Sequence, residues 1–235
     1  MTARRLHGAA SLLLLSFTCL LVVAGSAYAL FAESSPYLFA GKGIAQRIEV
    51  LAEGRLHPGL SRPAHDLVLD DCVTVASSLV GLTLPTSRRD AALSTCGDAA
   101  ARFAAQSPTY AYAYYVEALL AAERADPEAM NAALATSRAL APTEQWLAEL
   151  RVKLAEDHLD QIRPAGLEGH AADLALLVGS QRGIRVIARR YAAIESFRER
   201  ITAIVETLPV EQQKRFLAAL RSEIAARRPV AAATP

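Results

Sequence analysis

Two cysteines in the middle of the chain, Cys72 and Cys96, are spaced so that they could form a disulfide bond. Each lies twelve residues from Leu84, which begins a helix-breaking Leu-Pro pair. Two antiparallel helices joined there would bring both sulfurs to the same height, about 18 Å from the turn at 1.5 Å per residue. Export from the cytoplasm would favour the bond, whereas the alternative is a pair of buried thiols.

A second group of residues could bind an anion. Arg182, Arg185 and Arg189 follow one another at spacings of three and four, so a helix would place them along one face. Phosphate, an anionic polysaccharide or lipid head groups could bind such a stripe. In the alternative interpretation the stripe is a solvated face that pairs with Glu195 and Glu199.

The histidines and the neighbouring carboxylates give no catalytic or metal-binding motif. The five histidines are scattered along the chain. Two groups combine histidine with acidic residues, one within residues 156–160 and the other at Glu168, His170 and Asp173. Both lie beside predicted helix ends, where such residues are ordinarily solvated. We therefore predict no metal, no cofactor and no enzyme activity.

An uncharged apolar segment occupies residues 8–32 and follows Arg4 and Arg5. A bilayer is spanned by about 20 apolar residues, so this segment is long enough for a transmembrane helix. Only three lysines occur beside 22 arginines, a usage typical of GC-rich bacterial genomes. We predict a membrane anchor over residues 1–32 of a single-pass inner-membrane protein, with a cytoplasmic N-terminus and a periplasmic main domain. Alternatively, a signal peptidase cleaves after the Ala-Tyr-Ala sequence of residues 27–29.

The rest of the chain predicts an all-α protein. Apolar residues recur at spacings of three and four, and the alternation typical of strands is almost absent. We predict a linker with a short helix over residues 33–65 and helical repeats over residues 66–160. A basic helical region over residues 161–228 and a disordered tail over residues 229–235 would complete the chain.

An internal repeat runs from Ser107 to Asp157. Its two units begin 34 residues apart, and each has a Pro-Thr pair followed three residues after the threonine by an aromatic side chain, Tyr112 or Trp146. The stretch resembles the tetratricopeptide repeat family in degenerate form, on the strength of this period, Ala118, the Ala129-Met130 pair, Leu134 and the proline that closes each unit. The Trp-x-x-Leu-Gly signature of the family is missing. The resemblance implies a helical-hairpin bundle or short solenoid that binds other proteins.

The tyrosines of the first repeat-like helix indicate where a partner would bind. Tyr110 and Tyr114 share one helix face with Glu117, whereas Tyr112 and Tyr115 share another, so the two faces cannot both point inward equally. We predict that Tyr110, Tyr114 and Trp146 line a partner-binding groove. In the alternative, all four tyrosines pack within the bundle.

Together, the anchor and the repeats predict a membrane-tethered periplasmic scaffold for protein–protein interaction. More loosely, the chain resembles membrane-anchored accessory proteins encoded beside bacterial envelope polysaccharide assembly systems. This resemblance implies a role in cell-envelope or exopolysaccharide assembly. The expected partners are the membrane, another envelope protein and an anionic lipid or polysaccharide, but not nucleic acid. The alternative is an envelope enzyme or a binding protein for an anionic ligand.

Overall fold

The computed structural model describes residues 2–227, with side chains from residue 13 onward. Over this range the chain is helical without any β-strand, which confirms the predicted all-α class. The predicted tail at residues 229–235 lies outside the described residues. The α-helices span Thr2–Ala40 (α1), Ile44–Ala52 (α2), Arg62–Ser77 (α3), Leu79–Leu82 (α4), Thr86–Gln106 (α5), Ala111–Glu123 (α6), Pro127–Leu140 (α7), Gln145–Asp157 (α8), Pro164–Gly179 (α9), Gly183–Ala193 (α10), Glu195–Thr207 (α11) and Val210–Arg227 (α12).

The chain divides into two compact units, Met1–Ala99 and Ala100–Pro235. In the first unit, α1 is long and apolar enough from Leu13 to Ala40 to cross a membrane. The helix passes without interruption through residues 27–29, where the sequence also permits signal-peptidase cleavage. Its length and composition satisfy the needs of an anchor, and retention of the segment stays a prediction.

The C-terminal end of α1 is hydrogen-bonded to the loop before α3. The Glu33 carboxylate accepts hydrogen bonds from the backbone N–H groups of Leu60 at 2.8 Å and Ser61 at 3.0 Å, and also from the Ser61 hydroxyl. Ser61 is the N-cap of α3, where its hydroxyl oxygen accepts a hydrogen bond from the Ala64 N–H at 3.3 Å. The apolar helix is thereby linked to the start of the next helical hairpin.

The hairpin of α3 and α5 contains the predicted disulfide. Cys72 and Cys96 are bonded, and their Cα atoms are 5.5 Å apart. Both cysteines are fully buried, and Ala76, Ala92 and Ala99 are buried in the same unit. Small side chains allow two helices to approach closely enough for a disulfide to bridge them.

The apolar spacing from Asp66 to Leu82 predicts one continuous helix there, but the structure divides this segment. Instead α3 ends at Ser77, and Ser78 adopts an extended backbone and caps the short helix α4, accepting a hydrogen bond from the Gly81 N–H at 3.2 Å. Gly81 then lies so close to α3 that a Cβ atom there would be 2.0 Å from the Val75 carbonyl oxygen. The break therefore depends on a serine cap and on a glycine that permits close backbone packing.

In the second unit, α6 and α7 form the most extensive helix pair. Ten of the thirteen residues of α6 are buried, as its near lack of charge predicts. Helices α8 to α12 enclose a further apolar core. Its members include Leu174 and Leu177 of α9, Ile187 of α10, Phe197 of α11 and Phe216 of α12.

Candidate functional site

A cavity of about 420 Å³ lies between α7, α8 and α9 in the second unit. Leu134, Ala155 and Ile162 contribute to its apolar wall. Its polar residues include Arg138, Arg151, His170 and Asp173. Cavities of about 300–1,000 Å³ that combine apolar walls with a few polar groups are typical of small-molecule sites. The cavity is therefore the candidate functional site.

Arg151 and Asp173 form a buried ion pair in the cavity wall. The Nε of Arg151 donates a hydrogen bond to Oδ2 of Asp173 at 2.8 Å, and Nη2 donates one to Oδ1 at 2.9 Å. Both side chains are only 3% exposed. Arg138 also donates to Oδ1 of Asp173. One carboxylate thus balances two guanidinium groups, and these three residues carry one excess positive charge.

The hydrogen bonds of the Arg151 guanidinium group involve only two of its three nitrogens. Besides its bond to Asp173, Nη2 donates to the Ala141 carbonyl at 3.3 Å. Nη1 is buried and has no hydrogen-bond partner among the described residues. A buried donor without an acceptor costs about 1–3 kcal/mol. The cavity wall therefore contains a cationic group with an unused donor.

A second buried carboxylate, that of Glu156, lies on the same helix as Arg151. It accepts hydrogen bonds from Nε2 of His170 at 2.7 Å and from two nitrogens of Arg200, and Arg190 approaches it to 4.0 Å. Burial on its own raises the pKa of Glu156, but the hydrogen bonds from His170 and Arg200 outweigh it and lower the pKa to about 2. Glu156 is therefore ionised at neutral pH and can only accept hydrogen bonds.

The second ring nitrogen of His170 is also unused. Because Glu156 can only accept, the hydrogen of the contact between them must be on Nε2 of His170. Nδ1 of the same ring is buried and has no hydrogen-bond partner among the residues described. His170 and Arg151 are thus both part of the cavity lining, and each has one buried nitrogen without a hydrogen-bond partner in the described part of the chain.

Helices α8 and α9 bring both pairs of side chains together because the two helices run antiparallel. Arg151 and Asp173 are 22 residues apart and are centred on residue 162. Glu156 and His170 are 14 residues apart and are centred on residue 163. The two contacts are successive cross-links of one helical hairpin.

Asn131 of α7 holds the turn of this hairpin. Its Nδ2 donates a hydrogen bond to the Gln161 carbonyl, and its Oδ1 accepts one from the Arg163 N–H, each at 2.9 Å. Pro164 then begins α9, a position where its missing N–H costs nothing. The amide of one α7 residue therefore sets the entry of α9, which carries His170 and Asp173.

The predicted anion-binding arginines lie outside this cavity. Arg182, Arg185 and Arg189 are exposed, the last two on α10 and the first just before it. Arg182 lies 3.6 Å from Glu149 and Arg189 lies 3.7 Å from Glu223, instead of pairing with Glu195 and Glu199. A role of this stripe in binding lipid head groups or polysaccharide stays a prediction.

The predicted partner-binding aromatics are distributed between the surface and the interior. Tyr110 is only 1% exposed and Tyr114 is half-buried, whereas Trp146 is 44% exposed. The Trp146 ring packs edge-on against Tyr112, with 5.1 Å between ring centroids. Among the three, Trp146 therefore offers the most surface, and Tyr110 offers almost none.

The expectation that His170 and Asp173 are solvated is wrong, since both are buried. Helix α9 already begins at Pro164, so both residues lie inside the helix and not beside its end, on a side that contacts Arg138 of α7 and Arg151 and Glu156 of α8. Within the described residues, no group of three or more His, Cys, Asp or Glu side chains is arranged to hold a metal ion. Comparison of the chain with protein-family models, with curated proteins and with solved structures finds no match.

Proposed function

We propose that this chain is a membrane-anchored protein that binds a small organic anion with an apolar body in the cavity of its second unit. The observation that carries the proposal is the excess positive charge of the Arg138–Asp173–Arg151 cluster in the lining of a cavity of about 420 Å³, together with Nη1 of Arg151, which is buried and has no hydrogen-bond partner among the described residues. An anionic acceptor would satisfy this donor and balance the excess charge of the Arg138–Asp173–Arg151 cluster. The apolar wall would cover the body of the ligand.

The proposed location is the bacterial inner membrane, with the second unit in the periplasm. The apolar stretch of α1 supports a single membrane crossing. Arg4 and Arg5 precede it and support a cytoplasmic N-terminus, because positive flanking residues favour the cytoplasmic side.

The test is titration calorimetry on the full-length protein in detergent micelles with phenylacetate and hexanoate. Arg151→Lys keeps a positive charge near Asp173 but removes the planar, two-armed donor group. This change should weaken binding about tenfold or more, since hydrogen bonds to charged groups contribute about 1.5–3 kcal/mol. Arg138→Gln, which leaves the Arg151–Asp173 pair intact, should also weaken binding.

Arg185→Gln is the matched control, because Arg185 is exposed and forms no ion pair within the described part of the chain. Its affinity should equal that of the parent. If neither acid binds the parent protein, or if Arg151→Lys and Arg138→Gln bind both acids as tightly as the parent, the proposed function is wrong.

A second candidate function is a scaffold for another envelope protein, in keeping with the repeat-like helices. The observation that favours it is the exposed Trp146, because large aromatic side chains at the surface are frequent anchors of protein interfaces. Such a scaffold would serve envelope or exopolysaccharide assembly.

A photo-crosslinking amino acid at position 146 tests this second candidate in cells. A discrete adduct should form at this position and should be missing when the same group replaces Lys153, an exposed residue on the same helix. Equal crosslinking at both positions would contradict a specific interface at Trp146.

A further inference from the structure

The loop of residues 53–61, between α2 and α3, is fixed against the end of the apolar stretch of α1. The Glu33 carboxylate accepts hydrogen bonds from the backbone N–H groups of Leu60 and Ser61. Before Glu33 in the chain, the ring of Phe31 lies edge-on to the ring of His57, with 6.4 Å between the ring centroids. The loop therefore extends past Glu33 to the level of an apolar residue of α1.

Gly59 allows the loop to lie this close to α1. Its φ angle is +76°, a conformation that favours glycine. A Cβ atom at this position would be 3.2 Å from Cγ of Pro36 in α1 and 2.4 Å from Cβ of Ala64 in α3. A larger residue would force the loop to shift, so the close contact with α1 depends on the glycine.

The burial pattern of α1 indicates where a bilayer would end. No side chain from Leu13 to Phe31 is buried, whereas Ser35 and Pro36 are. The uncovered stretch is about 28 Å long at 1.5 Å per residue, and the hydrocarbon core of a bilayer is about 30 Å thick. Glu33 is the first charged residue after this stretch. A bilayer that surrounds the stretch therefore ends close to Phe31 and Glu33.

Helix α3 leads away from this boundary. Ser61, just before α3, contacts Glu33, and farther along α3 Leu67 and Val68 line a small cavity together with Phe39 of α1. The contacts advance in the same direction along both helices, so α3 runs parallel to the C-terminal end of α1. The loop, at the start of α3, is therefore closer to the boundary than the rest of that helix.

We infer that the loop of residues 53–61 is a second membrane contact, with His57 and Leu60 in the head-group region of the bilayer that α1 crosses. This inference rests on the membrane crossing in the proposed function. Lipid is the partner because the loop adjoins the stretch of α1 that lipid surrounds. The Leu60 side chain is 60% exposed, and the contact removes its apolar surface from water. The histidine ring has an apolar body and a polar edge, which suits the boundary between lipid and water.

Fluorescent labels at three equally exposed leucines test this inference on the full-length protein in phosphatidylcholine vesicles. Leu21 in the apolar stretch, Leu60 in the loop and Leu82 in α4 are 57%, 60% and 58% exposed. Each is replaced by cysteine in a Cys19→Ser background and labelled with an NBD fluorophore, since the other two cysteines form the disulfide. Lipids that carry a nitroxide quencher near the head group or deep in the acyl chain report the depth of each label.

The three labels should differ in their quenching. The label at Leu21→Cys should lose more fluorescence with the deep nitroxide, and the label at Leu60→Cys should lose more with the shallow one. Leu82→Cys is the matched control, because α4 follows α3, whose 16 residues extend for about 24 Å away from the boundary. Its label should be quenched by aqueous iodide and by neither lipid.

His57→Cys provides a second label in the same loop and should also be quenched more by the shallow nitroxide. Thermal unfolding of each labelled variant shows whether it folds as the parent does. If Leu60→Cys does not, the label at His57→Cys decides.

The outcomes separate this inference from the proposed membrane crossing. If the loop labels are quenched by iodide and by neither lipid, as at Leu82→Cys, the membrane contact of the loop is overturned while the crossing by α1 stands. If the label at Leu21→Cys is also quenched by neither lipid, the crossing fails, and the contact of the loop fails with it.

Discussion

Arg151 of α8 and Asp173 of α9 form a two-armed ion pair with nitrogen–oxygen distances of 2.8 and 2.9 Å, and both side chains are almost completely buried. A buried pair of this kind does not by itself stabilise a fold, because removing two charges from water costs about as much as their attraction returns. The pair is compatible with a stable fold only while both charged partners are present. The pair fixes the register of α8 against α9, and it holds Arg151 in the lining of the cavity.

Asp173→Asn should destabilise the protein strongly. The change leaves Arg151 and Arg138 without the carboxylate that balances them, and a buried charge stripped of its partner typically costs about 3–5 kcal/mol. Chemical denaturation should therefore show a lower free energy of unfolding than in the parent protein.

Asp157→Asn is the control for this change. Asp157 also contacts two cations, Lys153 at 3.4 Å and Arg190 at 3.6 Å, but it is about half exposed. The control should lose no more than about 1 kcal/mol, the usual range for an exposed ion pair. Equal losses of unfolding free energy in the two variants would mean that burial does not determine how much these ion pairs contribute to stability.

The sequence predicted the disulfide but not the buried ion pairs, although all of them follow from helical hairpins. Cys72 and Cys96 lie at equal distances from Leu84, just as Arg151 and Asp173 lie at equal distances from residue 162. The two cases differ in the number of candidate pairs that the sequence allows. The chain has three cysteines, one of them in the apolar segment, so a single pairing stands out. With 25 basic and 24 acidic residues, many pairings satisfy the same symmetry, and only tertiary packing selects among them.

Packing against neighbouring helices also determined which side chains are buried where the local sequence pattern was misleading. Tyr110 and Tyr114 share one helix face, which predicted that both line a groove, yet Tyr110 is only 1% exposed. The spacing shows which residues share a face but not how far the neighbouring helices extend over it. By contrast, the nearly uncharged α6 had only one plausible environment, and its burial was predictable.

Removal of the disulfide should lower the stability of the hairpin formed by α3 and α5. In the chain-entropy description, a bond between residues separated by 24 positions stabilises by about 3.5 kcal/mol. The Cys72→Ser/Cys96→Ser variant should therefore unfold earlier, and added reductant should no longer affect it. Cys19→Ser, at an exposed and unpaired position, should behave as the parent. A count of three reactive thiols in the unfolded parent without reductant, instead of the one expected from Cys19, would contradict the disulfide.

Acid should destabilise the protein through Glu156. Its pKa is lowered from 4.5 to about 2 in the folded state, so the unfolded chain binds a proton first as the pH falls. The stabilisation is fully present above pH 4.5 and is lost as the pH decreases from 4.5 towards 2. Glu156→Gln cannot titrate at this position and should show a shallower decrease of unfolding temperature over the same range. Parallel pH profiles for parent and variant would show that Glu156 does not contribute.

The last prediction is that the mature protein keeps residues 8–32 of α1 as its membrane anchor. Cleavage after residue 29 would leave Glu33 and its hydrogen bonds to Leu60 and Ser61 in place, so the folded unit does not discriminate between the two outcomes. The intact mass of protein purified from membranes does, and a mature chain that begins at Leu30 would refute retention. Leu21→Arg should impair insertion, because an arginine near the centre of a spanning helix costs about 2.5–3.5 kcal/mol. A greater share of this variant should be extracted from membranes by alkaline carbonate, whereas Leu60→Arg, at an exposed position outside α1, should stay in the membrane fraction as the parent does.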